Sequence, residues 1–567
     1  MTGNNALTQH DIFTKIDFFG DSQFLFVAEC AILLFMGTYL NPNNANFLAA
    51  IETGTYIDKT MLIEQTNKRL NNIDFKFICT SRPRRFGKSI AEDMLVAYYS
   101  KGADSRKLFE PYKISSSPTF EKNLNKFNVV HMDLNSLYAN WLGLSDEERG
   151  KNAFMHYVQK KVCADFKIAF PDVDFEETTL ASYILSVYAQ KGETFIIIID
   201  EYDVLVRENV DEKEFKIYLG FLNSLFKSSE LKSVISLAYL TGILPIMKDK
   251  IQSKLNTFDQ ITMFNTGDFT EFTGFTTEEV QSLCERYGRS FDECKSWYDG
   301  YRIDGYELYN PQAVIKAVTS GRFISYWSGT SSYEVVAEKI QMNFAGTKEA
   351  VIKMLGGGRV DVNVIKYDNT MTGFRSLDDV FTYLIHLGYL AYDEAEQECY
   401  IPNREIHLEW QAAIENDENY AETDRIIKDS RRLLKETLAM NEEAVATALD
   451  TVHLHVSSPK NYNNEYALHA AVYLAYVYAL NGYLVAKELT AGKGYADIAY
   501  IPLDKTKTAL IIELKRNSTP DSALNQIREK KYFDCLDNWH GEILFVGINY
   551  DADTKKHECK MEKLVKE

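Results

Sequence analysis

The stretch "FICTSRPRRFGKS", residues 77–89, decides the fold of the amino-terminal half of the chain. Its apolar beginning leads into a loop that closes with Gly87, Lys88 and Ser89, and the helical stretch "IAEDMLVAYYS" follows directly. A strand, a glycine-containing loop and a helix, in this order, are the context that a phosphate-binding loop requires. The glycine lets backbone N–H groups face a phosphate, the lysine reaches the outer phosphates, and the serine hydroxyl can bind magnesium. This stretch therefore predicts a site for a nucleotide.

The beginning of the loop departs from the usual pattern, because Arg82 stands where the first glycine is expected. A residue with a side chain disfavours a positive φ, so we expect this loop to follow a different path. The guanidinium groups of Arg82, Arg84 and Arg85 could supply phosphate contacts of their own. We therefore count these three arginines among the residues predicted to bind the nucleotide.

An acidic partner for the loop stands at the end of the apolar run "FIIIIDEYD", residues 195–203. Asp200 can hold a magnesium ion, and Glu201 can polarise the water that attacks the γ-phosphate. Two acids at a strand end are, taken alone, more often solvated side chains, but together with the loop they favour nucleotide binding. Thr241, which ends the next apolar run, stands where a sensor of the γ-phosphate could lie. The expected cofactors are ATP and Mg²⁺.

The order of apolar runs predicts the fold class. Between residues 75 and 265, short apolar runs alternate with longer amphipathic stretches. This alternation predicts an α/β fold with a parallel sheet covered on both faces. Together with the loop motif, it predicts a P-loop ATPase domain. Further on, "LDDVFTYLIHLGYLAYD" and "ECYIPNREI" indicate a helix, a glycine break and a hairpin, the order of a winged-helix unit. A helical spacer with one hairpin explains the same pattern equally well.

A second group of candidate catalytic residues lies near the carboxyl terminus, in "GYADIAYIP" and "ALIIELKRN". If these runs are neighbouring strands, Asp497, Glu513 and Lys515 project to the same face. Two carboxylates can hold magnesium, and a lysine can orient or activate a water for phosphodiester cleavage. Glu465 and Gln526, on flanking helical stretches, could complete the site. An E-x-K pair alone is usually a surface ion pair, but the whole set in helix, strand, strand, helix order favours a nuclease.

The amino-terminal motifs resemble those of a known family. The stretches "YIDKTMLIEQTN", "FICTSRPRRFGKS", "IIIDEYDV" and "TGILPIMKDKI" are together similar to the AAA-ATPase-like family of bacterial proteins. That family has the RPRRFGKS form of the loop, so the resemblance implies that Arg82 is a family trait. The resemblance covers roughly residues 40–330, and it begins near "GTYLNPNN".

The carboxyl-terminal motifs resemble the PD-(D/E)xK nuclease superfamily, in the branch that is fused to the AAA-ATPase-like domain. The resemblance implies that Asp497 is the family's acid, that Glu513 and Lys515 are its ExK, and that Glu465 and Gln526 are its helix-borne acid and glutamine. It also implies Mg²⁺ or Mn²⁺ at the nuclease site. Ala496 stands where the family name has proline, at a position that varies in the superfamily. Lysines and arginines after residue 514 could form a shallow basic rim, or only a solvated helix face and a frayed tail.

These motifs divide the chain into five predicted parts. The parts are an apolar leader at 1–38, an ATPase domain at 39–270, a small helical subdomain at 271–330, a helical, winged-helix-like connector at 331–450, and a restriction-endonuclease-like α/β domain at 451–567. The leader contains "FLFVAECAILLFMGTYL", residues 24–40, with Glu29 near its centre. This run is too short and too acidic for a comfortable membrane span. An interfacial or buried helix fits best, while an upstream start outside the family domain and a membrane anchor are the two alternatives.

Composition restricts the function further. The net charge is -19, which argues against a basic surface over the whole chain and restricts nucleic-acid binding to a local groove. The eight cysteines form no C-x-x-C pair, a pattern that favours a reducing, cytoplasmic location without a disulfide framework. We expect no stable membrane association.

The sequence thus predicts an ATP-binding and ATP-hydrolysing protein with a metal-dependent nuclease module. The main alternative is a nucleotide-dependent switch whose last domain only recognises nucleic acid or a protein, and a membrane-associated ATPase is a weaker one. Nucleic acid is the expected partner, although its type and the existence of a homo-oligomer stay open. Arg207 and Arg302 could act as arginine fingers, although an ordinary surface role is the more common one for such residues.

Overall fold

A computed structural model describes most of the chain. The described residues are 37–151, 153–246, 257–327, 333–366, 373–415, 417–456, 465–491, 494–533, 536 and 539–564. They fall into two compact units. The first lies within Met1–Ile78, Ser89–Leu205 and Val210–Leu240, and the second within Cys79–Lys88, Val206–Asn209 and Thr241–Glu567. Nearly all of the predicted leader, residues 1–36, lies outside the described residues.

Five strands form the sheet that the apolar runs predicted, in the order β2-β3-β4-β1-β5. The strands are β1 (Phe77–Ser81), β2 (Asn128–Asp133), β3 (Phe195–Asp200), β4 (Ile235–Gly242) and β5 (Asp259–Ile261). β2, β3 and β4 run parallel, and β2 and β3 end side by side at Asp133 and Asp200. Every residue of β1, β3 and β4 is buried, as expected of strands that are covered on both faces. The predicted parallel sheet is confirmed.

Helices fill the amphipathic stretches between these strands. They are α1 (Ala45–Glu52), α2 (Met61–Arg69), α3 (Lys88–Tyr99), α4 (Arg106–Phe109), α5 (Phe120–Asn123), α6 (Leu134–Leu142), α7 (Asp146–Lys151), α8 (Phe154–Ala169), α9 (Leu180–Lys191), α10 (Val204–Arg207) and α11 (Glu212–Phe226). α3 begins inside the loop motif itself, so the predicted order of strand, loop and helix is present. Among the described residues, no helix is long and apolar enough to cross a membrane.

The middle of the chain is mainly helical. Its helices are α12 (Thr277–Tyr287), α13 (Phe291–Tyr298), α14 (Pro311–Ser320), α15 (Glu334–Ile340), α16 (Thr347–Leu355), α17 (Leu377–Leu387), α18 (Arg404–Ile414), α19 (Ala421–Leu438) and α20 (Glu442–Val456). Two small sheets accompany them, in the orders β6-β8-β7 and β10-β11-β9. Their strands are β6 (Phe275–Thr276), β7 (Tyr301–Ile303), β8 (Tyr306–Tyr309), β9 (Val360–Asp361), β10 (Ala391–Asp393) and β11 (Glu398–Tyr400).

The predicted helix, glycine break and hairpin are present in this region. α17 begins with a capping box between Ser376 and Asp379, which satisfies backbone donors that the first turn leaves open. It ends at Gly388 with a φ of 86°, a conformation that favours glycine. β10 and β11 then pair as an antiparallel hairpin. The winged-helix interpretation stays a prediction.

The carboxyl-terminal module is one five-stranded sheet, in the order β12-β13-β14-β15-β16. Its elements are α21 (Glu465–Ala475), β12 (Tyr483–Ala491), β13 (Gly494–Pro502), β14 (Ala509–Arg516), α22 (Pro520–Lys530), β15 (Ile543–Asp551) and β16 (Lys556–Lys563). β14 and β15 are parallel, and the other neighbours are antiparallel. The frayed tail, one of the two alternatives for the last residues, was wrong for residues 556–563, which form β16. His557, Cys559 and Met561 alternate there with exposed charged residues, which is the period-two pattern of an edge strand.

Candidate nucleotide and nuclease sites

In the first unit, the nucleotide motif brings a hydroxyl and a carboxylate together. Ser89 Oγ donates a 2.6 Å hydrogen bond to Asp200 Oδ2, and the second carboxylate oxygen accepts the Glu201 N–H at 2.8 Å. Glu201 has a φ of 54°, so the chain turns sharply at the end of β3. Hydroxyl and carboxylate oxygens are the ligands that magnesium prefers. The donor set therefore fits the predicted ion.

Two acids that the sequence analysis did not single out lie near Asp200. Asp133 is its register partner at the end of β2, and Asp93 lies on α3. Burial raises the pKa of Asp93 to about 6, with smaller contributions from the charges of Asp200 and Asp133 and against a hydrogen bond from Asn46 that lowers it. The signal for Asp133 was present in the sequence, because the run "FNVVHMD", residues 127–133, also ends in an acid, and the carboxyl ends of parallel strands lie at the same edge of a sheet.

In the second unit, the loop cations are bound to backbone carbonyls. The Lys88 ammonium is buried and donates to the carbonyl oxygens of Arg82 and Pro83, at 3.2 and 3.1 Å. The Arg82 guanidinium is also fully buried, and its NH1 group donates to Ser81 O at 3.0 Å and to Thr262 O at 2.7 Å. These partners favour a role for Arg82 in holding the loop, instead of the phosphate contact expected for it.

The path of the loop follows from its residues. Arg85 and Gly87 have φ values of 70° and 85°, whereas Arg82 avoids the positive region as expected. Arg85 NH1 donates to Tyr326 O at 2.8 Å, while Arg84 is exposed. Thr241 is fully buried at the end of β4. It stays a prediction that Arg84, Arg85 and Gly87 contact a phosphate. It also stays a prediction that Thr241 senses the γ-phosphate.

The carboxyl-terminal candidate residues lie together as predicted. β13 and β14 are antiparallel neighbours, with Ile498 opposite Ile512, and Asp497 Oδ2 accepts the Leu514 N–H at 2.7 Å. Lys515 Nζ donates to Glu513 Oε1 at 2.9 Å and to Gln526 Oε1 at 2.7 Å. Four of the five predicted residues thus lie close together, three on the neighbouring strands β13 and β14 and Gln526 on α22. For the fifth, Glu465, the structure gives the backbone at the start of α21, and its side chain lies outside the described part.

The charge state of Glu513 reflects its surroundings. Burial, and next the charge of Asp497, raise the pKa of Glu513 to about 7, and Lys515 opposes this rise. Glu513 is 1% exposed. Within the part of the chain that the structure describes, no hydrogen-bond donor reaches its Oε2 atom. A buried carboxylate oxygen without a donor is costly, and a cation would satisfy it.

These residues fit a magnesium or manganese ion. Among the described residues, no group of three or more His, Cys, Asp or Glu side chains could hold a metal. Mg²⁺, however, is usually bound through one or two carboxylates and keeps its waters or takes substrate phosphates as further ligands. Asp497 and Glu513 supply those two carboxylates.

Sequence reasoning missed one residue of this site. Tyr532 follows α22, is 2% exposed, and accepts a 3.0 Å hydrogen bond from Gln526 Nε2. This bond fixes which end of the Gln526 amide faces Lys515. Burial raises the pKa of Tyr532, so the phenol keeps its proton. No period in the sequence marks Tyr532, since it stands just beyond the helix end.

Acids balance part of the basic rim that was one alternative for the last residues. Several of its cations are bound to carboxylates: Arg528 to Glu562, Lys556 to Asp450, Lys560 to Asp521, and Lys563 to Glu542. Exposed ion pairs of this kind leave little net positive potential for nucleic acid.

Comparisons with known proteins agree with the two resemblances. Residues 45–252 match the family described as predicted AAA-ATPase, and residues 463–560 match the PD-(D/E)XK nuclease superfamily. The chain therefore carries an AAA-ATPase-like domain and a PD-(D/E)XK nuclease-like domain. It is also 25% identical over 300 residues to an uncharacterized protein in the vnfD 5' region of Azotobacter chroococcum mcd 1, which covers 49% of this chain and 52% of that protein. The chain thus spans about half the length of this curated relative.

Among solved structures, similar chains include Cdc6p from Pyrobaculum aerophilum, with 11% identity, 63% of this chain and 93% of that chain covered, and a TM-score of 0.26. The ORC2 protein of Aeropyrum pernix, in ADPNP–ADP complexes, has 8% identity, coverage of 63% and 96%, and a TM-score of 0.30. TM-scores this low do not establish a shared architecture over the covered lengths.

Proposed function

We propose that this protein binds and hydrolyses ATP with Mg²⁺ and cleaves nucleic-acid phosphodiesters at a second, metal-dependent site. The observation that carries the proposal is the carboxyl-terminal group, in which Lys515 is bound between Glu513 and Gln526 and Glu513 Oε2 faces no donor among the described residues. A surface ion pair would not bury a carboxylate in this way.

At the nuclease site, Asp497 and Glu513 would hold the ion, which acts as a Lewis acid on the phosphate when bound. The Lys515 ammonium would orient the attacking water and stabilise developing negative charge. Gln526 and Tyr532 would keep that ammonium in place. The raised pKa of Glu513 requires it to lose a proton before it binds a cation.

At the nucleotide site, Lys88 would bind the outer phosphates, while Ser89 and Asp200 would hold the magnesium ion that the nucleotide carries. Glu201, which follows Asp200 directly, would orient the attacking water. The Lys88 ammonium must first leave the carbonyl oxygens of Arg82 and Pro83, so nucleotide binding would be coupled to a rearrangement of the loop.

A cleavage assay tests this proposal. Labelled single- and double-stranded DNA and RNA are incubated with the full chain and Mg²⁺ or Mn²⁺, with and without ATP. We expect cutting only with metal, abolished by Asp497→Asn and retained by Glu529→Gln, an exposed acid on α22. Cutting that survives Asp497→Asn would refute the nuclease assignment.

A nucleotide-dependent switch is the second candidate, and the loop geometry favours it. Lys88, Arg82 and Arg85 all donate to carbonyl oxygens of the second unit, so ATP could act by releasing these bonds without rapid turnover. Tight ATP binding with no hydrolysis and no cleavage of any substrate would select this function.

A further inference from the structure

The helix α20 lies along β16, which is the last strand of its sheet in the described part of the chain. Such an edge strand has backbone N–H groups that no neighbouring strand accepts. The His557 N–H donates to Asp450 Oδ1 at 2.8 Å. The Met561 N–H donates to Glu442 Oε1, also at 2.8 Å. Eight residues of helix and four residues of strand separate these two contacts, and both stretches span about 12 to 14 Å. Side chains of α20 thus cover the outer edge of β16.

One of these contacts continues into a chain of buried rings. Asp450 Oδ1 also accepts a hydrogen bond from His557 Nδ1 at 2.9 Å, and His557 Nε2 lies 3.1 Å from His453 Nδ1. Neither imidazole is exposed to solvent. The ring of Tyr550, on β15, lies 4.5 Å from the His453 ring and 4.9 Å from the His557 ring. Lys556 Nζ donates to the other carboxylate oxygen of Asp450 at 3.0 Å. Asp450, His557 and His453 thus join α20 to β16, and we call this group the His–His contact.

The His–His contact limits how many protons the two rings can carry. Two ring nitrogens share a hydrogen bond only when one of them has no proton. His557 Nδ1 must carry a proton, because its partner, the Asp450 carboxylate, can only accept. The two rings can therefore hold one additional proton between them, whereas a second one places two N–H groups against each other.

The surrounding charges oppose that second proton. Burial disfavours the ionised form of Asp450, but the hydrogen bonds from His557 and Lys556 lower the pKa of its carboxyl, so Asp450 is already ionised where imidazoles titrate. Burial lowers the pKa of His557, although the hydrogen bond and the charge of Asp450 oppose this. With both rings protonated, two imidazolium groups and the Lys556 ammonium would share one carboxylate. At the other end of β16, burial and the charge of Glu442 raise the pKa of Cys559 to about 12, so that thiol stays neutral.

We propose that the His–His contact is an acid-sensitive switch, which holds α20 on the edge of β16 at neutral pH and releases it when both imidazoles are protonated. The switch is independent of the two proposed activities, because none of its residues belongs to either candidate site. An ordinary histidine has a pKa of about 6.5, so below this pH the released rings bind more protons than the closed contact. The closed contact is therefore most stable above about pH 6.5 and weakens as the pH falls. Release would expose the outward N–H groups of β16 to water.

Hydrogen exchange of the full chain, measured by mass spectrometry and corrected for the intrinsic exchange rate at each pH, tests this switch. We expect the protection of β16 to fall by about 10- to 30-fold between pH 7.5 and pH 5, because an imidazole kept neutral about 1.5 pH units below its ordinary pKa costs a factor of about 30. β14 should stay protected over the same range. His453→Gln keeps an amide that can donate or accept but cannot titrate, so it should remove the pH dependence of β16. His540→Gln, at an exposed histidine of the same module, is the matched control and should behave as the wild type.

Three outcomes would overturn the switch. They are unchanged protection of β16 at pH 5, an equal loss in the wild type and His453→Gln, and an equal loss in β14 and β16, which would mean that acid unfolds the whole module. If His453→Gln already exposes β16 at pH 7.5, Asp450→Asn decides. This change removes the carboxylate that compensates the protonated rings, so we expect β16 to lose protection at a higher pH than in the wild type. An unchanged midpoint in Asp450→Asn would contradict the proposal.

Discussion

The phosphate loop and the carboxyl-terminal carboxylate site each hold a lysine ammonium group, but with different partners. In the loop, the Lys88 ammonium is bound to the carbonyl oxygens of Arg82 and Pro83, which a ligand must displace. In the carboxyl-terminal site, the Lys515 ammonium is held by the side chains of Glu513 and Gln526. The loop must therefore rearrange before its lysine can bind a phosphate, whereas the carboxyl-terminal site is already formed. We therefore expect the two proposed activities to differ in how much conformational change they need.

Replacing the lysine of the preformed site should have the largest effect. Lys515→Met removes the group that we propose to orient the attacking water, and it leaves Glu513 Oε1 without the Lys515 ammonium. We expect the rate of metal-dependent cleavage to fall by about 10²–10⁴-fold, the range for a positioned proton-transfer or charge-stabilising group. Quenched-flow or gel assays measure the rate, and Lys530→Met at an exposed position of α22 should cleave normally. A fall of less than tenfold would mean that Lys515 is only a structural ion pair.

Replacing the loop lysine should have a smaller effect, which is on the affinity for ATP. Lys88→Met removes the cation expected to reach the outer phosphates, but it also removes the two carbonyl bonds that must break. We expect ATP affinity to fall by about 10- to 100-fold, as for the loss of one charged hydrogen bond. Titration with a fluorescent ATP analogue measures this change. Equal affinity in Lys88→Met and the wild type would show that this loop does not bind phosphates.

Removing the hydroxyl of Tyr532 should have a still smaller effect on the rate of cleavage. Tyr532→Phe removes the acceptor of Gln526 Nε2 but keeps the ring in the core cluster around Ile527 and Phe545. We expect cleavage to slow by about 2- to 10-fold, the value of one neutral hydrogen bond. If Tyr532 positions Lys515 through Gln526, then Tyr532→Phe should add no further loss in the Gln526→Ala background. Additive losses would contradict this chain of contacts.

Replacing Glu513 should have the smallest effect, which is on the stability of the protein and its dependence on pH. The pKa of Glu513 is about 7 in the folded protein, above its ordinary value, so folding favours the protonated acid. Its contribution to stability is therefore present at low pH and is lost as the pH rises through about 7. Glu513→Gln, which mimics the neutral acid, should raise the melting temperature of the metal-free protein at pH 8 and change it little at pH 4. A mutant that is destabilised at pH 8 would contradict the raised pKa.

The fold and the candidate site could be predicted from the sequence where a pattern repeats along the chain. The buried strands followed from apolar runs such as Phe195–Asp200, and α17 followed from its helical period and the glycine after it. Asp497, Glu513, Lys515 and Gln526 were found because strand alternation and helix order place them together.

Three features could not be predicted because each depends on a contact that only the folded chain makes and that no repeating pattern marks. The binding of Arg82 to Thr262 O and of Arg85 to Tyr326 O depends on folding of the second unit around the loop. The contact of Tyr532 with Gln526 depends on how the chain turns after α22. β16, in contrast, had a visible signal, since His557, Cys559 and Met561 alternate with charged residues along the segment.

The most direct test of the comparison is a calorimetric titration of the nucleotide-free protein with Mn²⁺ at pH 8. The account predicts that the wild type binds the ion at the preformed carboxylate site and that Asp497→Asn abolishes this binding, while Asp200→Asn retains it because the loop site needs a nucleotide. Equal Mn²⁺ binding by the wild type and Asp497→Asn, or its loss in Asp200→Asn alone, would contradict the account.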